Sequence, residues 1–167
     1  MRLDIKNTPD AVEHVQNEND MVSLCSLYAG DGSFGIDTRK IREVLGKKSL
    51  QRVPMAPPYI GGVVPYRGEV LTTVNLRALL GMAPHQDASC VLVLEENENA
   101  ERFGLIVDEV GGVIAVNQKQ LEDNPSTLDA RGRWLFDGAY KLQAGLVVQL
   151  DPQKLRPSRL ADVGLFK

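Results

Sequence analysis

The sequence predicts a mainly β protein made of two paired small barrels, each of about five strands, with a few short helices. Three observations carry this. Short apolar or alternating runs recur along the chain between clusters of Gly, Pro, Asn and Asp, the pattern of strands and turns. Helix signals are few and brief. Most informative, the stretch from Ile60 to Gly81 is repeated without a gap from Gly138 to Leu155: Gly62 falls on Gly138, Tyr66 on Leu142, Val74 on Leu150, Asn75 on Asp151 and Leu79 on Leu155. In each copy a glycine leads into a β-type run, then an Asn or Asp caps a short leucine-bearing helix. The copies differ at the turn, where the first has Arg67-Gly68 and the second Gln143-Ala144. Closed barrels also remove the edge strands that invite aggregation.

The elements follow in order. Residues 1–20 are polar and carry Pro9, so a mobile or weakly helical leader is expected, with residues 21–167 forming the folded domain around repeat units 34–80 and 103–155. Met21 to Tyr28 and Phe34 to Ile36 flank Ala29-Gly30-Asp31-Gly32-Ser33 and read as a hairpin. Thr38 as cap, Ile41, Val44 and Leu45 on one face and Gly46 as a left-handed stop predict the first helix. The three prolines from Arg52 to Pro58 exclude both helix and central strand, leaving an extended surface segment. Val70 to Leu76 alternates as a strand. Cys90 to Leu94 and Phe103 to Asp108 form an antiparallel pair across a charged turn, 95–102, and Val113 to Val116 is a further strand. Gln118 to Arg133 reads as irregular, ending at the single tryptophan, Trp134. Asp151 with Pro152 then opens a short helix.

Composition narrows the function. A chain of 167 residues buries roughly two-thirds of its unfolded surface and supports its own core. The net charge of −3, with no basic run longer than Lys47-Lys48, argues against nucleic acid as a partner, since phosphate affinity comes from clustered Lys and Arg. Cys25 and Cys90 both sit in apolar runs and read as small hydrophobes in a reducing compartment. No run has the length of a membrane span, and the N-terminus lacks the apolar core of a signal peptide; a cytoplasmic protein without direct membrane insertion is expected. His14 and His85 have no ligand spacing, so no metal or other cofactor is expected. The Gly46-Lys47-Lys48-Ser49 stretch lacks the first glycine of a phosphate loop and closes an element instead of opening one. Glu95-Glu96 and Asp108-Glu109 are adjacent pairs that point to opposite strand faces and read as solvated charge. Without nucleophile, base or metal set, binding outranks catalysis.

The motifs also carry a resemblance. Gly62-Val63, three residues on Arg67-Gly68, then an apolar strand ending in Asn75-Leu76 resembles the pattern of chemotaxis adaptors of the CheW family. Leu24 to Asp37 resembles that family's opening hairpin, Ile41-Arg42-Glu43-Val44 its first helix, Phe103 to Val110 the strand entering its second half, and Phe136 to Leu155 its closing strand. The resemblance covers nearly everything after Asp20. It implies two five-stranded barrels of the Src-homology type around a shared apolar seam. It also implies a non-catalytic scaffold that couples the cytoplasmic tip of a methyl-accepting chemoreceptor to a CheA-type histidine kinase, through the kinase's own CheW-like regulatory domain, in arrays at the membrane.

Seven residues are candidates for partner contact: Arg67, Gly68, Tyr66, Gly62, Val63, Ile41 and Glu43. Arg67 either pairs with Glu69 or another barrel carboxylate, an exposed pairing worth about 0 to 1 kcal/mol, or offers its guanidinium to a partner; the resemblance places it beside the groove where the receptor tip docks. The resemblance puts Ile41 and Glu43 on helix positions that face the receptor, and Gly62 and Val63 on the groove floor. Ile41 and Val63 also read as packing residues, whereas an unpaired Glu43 has no reason to be buried. Tyr66 stands where the family usually has Leu, after Pro65 in place of Asn, and reads as an aromatic at the rim; Asn75 replaces the usual Asp but keeps the cap. Two other readings stay open: a CheW-like module of a variant, surface-motility or non-motility pathway, and a small-molecule barrel whose pocket the 118–133 loop covers.

Overall fold

The computed structural model describes residues 20–84, 89–95 and 101–166. The polar leader, His85 and Glu96 lie outside the described residues. Among the described residues ten strands make two five-stranded sheets. Sheet one is a continuous stretch of chain: β3 (Ile41–Lys48), β4 (Ile60–Tyr66), β5 (Glu69–Asn75), β6 (Ser89–Leu94) and β7 (Phe103–Val107), in the order β3-β6-β7-β5-β4. Sheet two joins the opening hairpin, β1 (Met21–Ala29) and β2 (Gly32–Asp37), to β8 (Glu109–Asn117), β9 (Phe136–Leu142) and β10 (Gly145–Leu150), in the order β8-β1-β2-β10-β9. Short helices α1 (Leu76–Leu79), α2 (Ala130–Leu135), α3 (Pro152–Leu155) and α4 (Pro157–Val163) complete the described part.

The duplication is structural as well as sequential. β4-β5-α1 and β9-β10-α3 share even their irregularity: Gly62 lies opposite Thr73 beside a bulge, and Gly138 lies opposite Gln149 beside the same bulge. The hairpins are equivalent too, because the parallel pairing sets Gly104 against Thr73 and Gly35 against Gln149, so Phe34-Gly35 and Phe103-Gly104 are counterparts. The hairpin β6-β7 of the second repeat therefore completes the sheet of the first, and β1-β2 completes that of the second. Backbone bridges close each circuit. Gln51, just past β3, exchanges two hydrogen bonds with Val63 of β4 (3.0 and 2.8 Å), and Glu122, just past β8, does so with Ala139 of β9 (2.9 and 3.0 Å).

These bridges need glycine next door. Gly62 has φ +124° and Gly138 φ +141°, and a Cβ on Gly62 would stand 2.5 Å from the carbonyl oxygen of Gln51, with Glu122 blocking Gly138 in the same way. Each sheet keeps a small core of its own, Val64, Tyr66, Leu71 and Val93 in one and Leu24, Val116 and Tyr140 in the other. The largest cluster joins Leu27, Phe34 and Ile36 of sheet two to Val74, Leu92 and Leu105 of sheet one, with Leu79, Leu155 and Leu160 from the helices. The chain crosses between sheets at Asp108, whose carboxylate accepts from the Gly30 amide (2.7 Å) and from Arg77 Nε (2.8 Å), binding the β1-β2 turn to α1.

One predicted element is wrong. The helix expected after Thr38 is a single 3₁₀ turn, Thr38–Lys40, capped by Asp37, and the chain then enters β3. Two bulges explain the helical look: the pairing with β6 slips between Ile41 and Glu43 and again between Val44 and Lys47, so apolar residues fall at spacings of three and four inside a strand. Gly46 does take a left-handed angle, φ +63°, but within the second bulge. In the loop read as irregular, Gln118–Gln120 is a 3₁₀ turn and α2 occupies its end, capped by Asp129. Glu95 and Asp108 are not solvated charges, since Glu95 is 9% exposed and bound by Arg102, and Asp108 is tied as above.

Replacing Gly62 or Gly138 by Ala is expected to cost more than about 1 kcal/mol, because a strained φ and a backbone clash add. Gly112→Ala, where a Cβ meets nothing within 4 Å, should stay within about 0.5 kcal/mol of wild type. Urea unfolding followed by circular dichroism measures all three.

Candidate functional site

The β4-β5 connection is two residues long, and both have positive φ: Arg67 at +49° and Gly68 at +79°. This is the type I′ geometry that matches the twist of a hairpin and favours Asn-Gly or Gly-Gly. Gly68 adopts it freely; arginine in the left-handed region costs roughly 1 to 2 kcal/mol. In the duplicated hairpin neither Gln143 nor Ala144 has a positive φ, so the fold does not demand a left-handed non-glycine there.

Arg67 is held from β3. Its Nη2 donates to Glu43 Oε1 at 2.8 Å, and the Tyr66 hydroxyl donates to the same oxygen at 3.2 Å. The guanidinium carbon of Arg67 stands 5.4 Å from the Tyr66 ring centroid, and that of Arg102 stands 5.8 Å from it. Arg102 in turn bonds Glu95 at 2.8 Å and reaches Glu69 at 3.6 Å, while Arg42 approaches Glu95 at 3.8 Å. The result is a charged ladder that joins β3, the β4-β5 hairpin, the end of β6 and the start of β7, with the Tyr66 ring beneath it. Arg67 is 64% exposed and Glu43 38%, so the pair adds at most about 1 kcal/mol of stability. That does not exceed the cost of the backbone angle, and stability alone gives no reason for arginine at this turn. An observed strain of this kind points to function.

The sequence candidates divide accordingly. Arg67, Glu43 and Tyr66 meet at one point, and Gly68 makes the turn that presents Arg67. Glu69, offered as a partner of Arg67, pairs with Arg102 instead. Tyr66 is not an exposed rim aromatic: it is 4% exposed and packs with Val64, Leu71 and Val93, because alternation along β4 turns it inward, and only its hydroxyl reaches the surface network. Gly62 and Val63 lie in mid-strand, where they serve the bridge to Gln51. Ile41, on a strand and not on a helix, packs against the main core. Arg102, Glu95 and Arg42 were not among the contact candidates, and Glu95 was read as solvated charge. The arginine that follows the acidic 95–101 turn was the available signal, but only the β6-β7 pairing brings Arg102 back beside Glu95.

The hydrogen bond from Arg67 holds the Glu43 carboxyl below its ordinary range, and Arg102 does the same for Glu95. No group of three His, Cys, Asp or Glu among the described residues is placed to hold a metal. Beside the 118–133 loop there is a cleft of 390 Å³ lined by Leu79, Leu80, Leu128, Arg131, Leu135 and Phe136 together with Asp129. Its one carboxylate, Asp129, is engaged as the α2 cap, accepting from the Gly132 amide at 2.8 Å. The cleft has room for a ligand but carries no acid-base pair.

A family model described as the CheW-like domain matches residues 23–159. The chain belongs to the CheW-like domain family. Among its relatives, the chemotaxis protein CheW of Treponema pallidum is 24% identical over 148 residues, covering 84% of this chain and 85% of that protein. The probable chemotaxis protein CheW of Rhizobium etli is 28% identical over 132 residues, covering 79% and 85%. In fold, the chain resembles the scaffolding protein TtCheW of Thermoanaerobacter tengcongensis with a TM-score of 0.66 at 21% identity, over 78% of this chain and 88% of that one. The CheW-like architecture of two five-stranded sheets is thus the setting of the Arg67 turn.

The ion pair has a pH signature. Glu43's pKa is lowered in the folded state, so its contribution is fully present above the unfolded value and is lost as pH falls through the folded one. A carboxyl-detected NMR titration is expected to place Glu43 below a free glutamate, and Arg67→Ala should move it back up. An unchanged midpoint in that variant would mean the pair does not form in solution.

Proposed function

We propose that this chain is a chemotaxis adaptor that couples receptors to a CheA-type histidine kinase by scaffolding, with the Arg67 turn as one of its contacts. The observation that carries the reading is the arginine held in a strained two-residue turn on a CheW-like fold, exposed and pre-oriented by Glu43 and Tyr66. A guanidinium on a rigid hairpin suits recognition: its donor fork is fixed, it stands over the Tyr66 ring, and little freedom remains to be lost on binding. Glu43 occupies one donor and leaves others for a partner carboxylate or carbonyl.

In this reading the chain does no chemistry, in keeping with a family of non-catalytic scaffolds. Its work is positional. By holding the receptor tip and the kinase together it lets a small receptor movement shift the kinase between active and inactive populations, which requires contacts that differ between those states. No described helix is long and apolar enough to cross a membrane; the chain reaches receptor arrays through its partners, from the cytoplasmic side. The kinase's own CheW-like domain is the partner of like fold, and a receptor helix is the partner that lies in an apolar groove.

Arg67→Glu tests this. It places a second carboxylate beside Glu43 on the surface, so unfolding should shift by less than about 1 kcal/mol, while an interface arginine removed and reversed in charge should weaken binding at least about tenfold. Isothermal titration with the kinase regulatory domain and with a receptor-tip fragment reads this. Wild-type affinity for both partners would remove Arg67 from the contact surface.

A further inference from the structure

The cleft between the end of α1 and α2 is apolar and open. Leu80, Leu128 and Phe136 on its walls are only half-buried, although Leu79 and Leu135 beside them belong to the core. Arg131 reaches across from α2 toward α1, since a Cβ added to Gly81, just past α1, would meet its Nη1 at 3.6 Å. The side chain of Arg131 is exposed and makes no hydrogen bond or ion pair with a described residue. Its neighbour in the chain, Asp129, is turned to the Gly132 amide instead. An unpaired guanidinium at the mouth of an apolar cleft suits a segment that offers a carboxylate beside apolar side chains.

The chain carries such a segment. In residues 1–20 five carboxylates stand against Arg2 and Lys6, a net charge of −3, whereas residues 130–167 hold seven cations against three carboxylates, a net charge of +4. Thr8-Pro9-Asp10 is a helix-start signal, and Val12 and Val15, three apart, would share one face of the turn that follows, with Glu13 beside them. The tether is in the right place. The leader joins β1 at Met21, opposite Asn117 at the end of β8, and Asp20 bonds Lys119 at 3.2 Å. β9 begins on the same rim, because the chain past β8 bridges to Ala139 and Asn124 then donates to the Phe136 carbonyl at 2.6 Å. Across that bridge β1 and β9 are two strand spacings apart, about 10 Å. Val15 is five residues from Asp20, a reach of up to about 17 Å.

We propose that residues 10–15 of this chain's own leader seat in the cleft, with Val12 and Val15 against Leu80, Leu128 and Phe136 and the Glu13 carboxylate on Arg131. Tethering at Asp20 makes the contact intramolecular, so a weak interaction is enough to keep the cleft covered. The inference does not depend on the adaptor reading. The cleft starts where β5 ends and the Arg67 turn lies where β5 begins, about 20 Å away by strand rise, so a covered cleft leaves that turn free.

Methyl NMR of the whole chain, with valine and leucine methyls labelled, tests this. Nuclear Overhauser contacts are expected from Val12 and Val15 to Leu80 and Leu128, with intensities unchanged on dilution. Val12→Asp combined with Val15→Asp should abolish them while the methyl signals of β6 and β7 stay in place. Arg131→Glu should weaken the contacts, and adding Glu13→Arg to it should restore them. Absence of the contacts in the wild type would overturn the proposal. So would contacts seen only between differently labelled copies, which would give the cleft to a second molecule, or contacts indifferent to Arg131→Glu. No kinase or receptor is present in these measurements, so their failure is separate from any failure of the adaptor reading.

Discussion

The close approach of backbone to backbone at Gly62 and Gly138 is the constraint on which the rest of this architecture depends. At each place the chain leaving one end strand of a sheet, at Gln51 or Glu122, hydrogen-bonds to the strand at the other end, and only a residue without a Cβ lets it come so near. Closing the circuit satisfies amides that an open sheet would leave on an edge. It also fixes where β4 and β9 start, and so where their hairpin turns project.

Within that frame the two repeats have diverged in what they present. The second hairpin turns through Gln143 and Ala144 with no left-handed residue other than glycine, while the first spends backbone strain on Arg67 and anchors it with Glu43, Tyr66 and, behind them, Arg102 and Glu95. Tyr66 has a structural reason to be aromatic. Its ring fills the interior of sheet one, its hydroxyl meets the carboxylate that holds Arg67, and two guanidiniums lie within cation–π range of its face. A leucine at this position would fill the core but lose the other two interactions. The ladder therefore links the interior of one barrel to the orientation of its exposed arginine.

Much of this was legible in the sequence, and the exceptions have physical causes. The duplication, the caps at Asn75 and Asp151, the β1-β2 hairpin and the β6-β7 pair rest on local signals: turn glycines, side-chain caps and alternation. β3 misled because its two bulges break the period of two and leave Ile41, Val44 and Leu45 at helical spacing. The exchange of hairpins between repeats is a matter of long-range pairing, to which local pattern is blind. Arg67 and Glu43 were both found, but their contact depends on β3 lying across from the β4-β5 turn, and Arg102 entered the network only through the fold.

The central claim is that one small non-catalytic domain holds two partners at once. Analytical ultracentrifugation of the full-length chain mixed with the intact kinase and a receptor-tip fragment tests it most directly. The account predicts a ternary species that sediments faster than either binary complex and that disappears when this chain is left out. Two binary complexes that displace one another, with no ternary species at saturating concentrations, would contradict it.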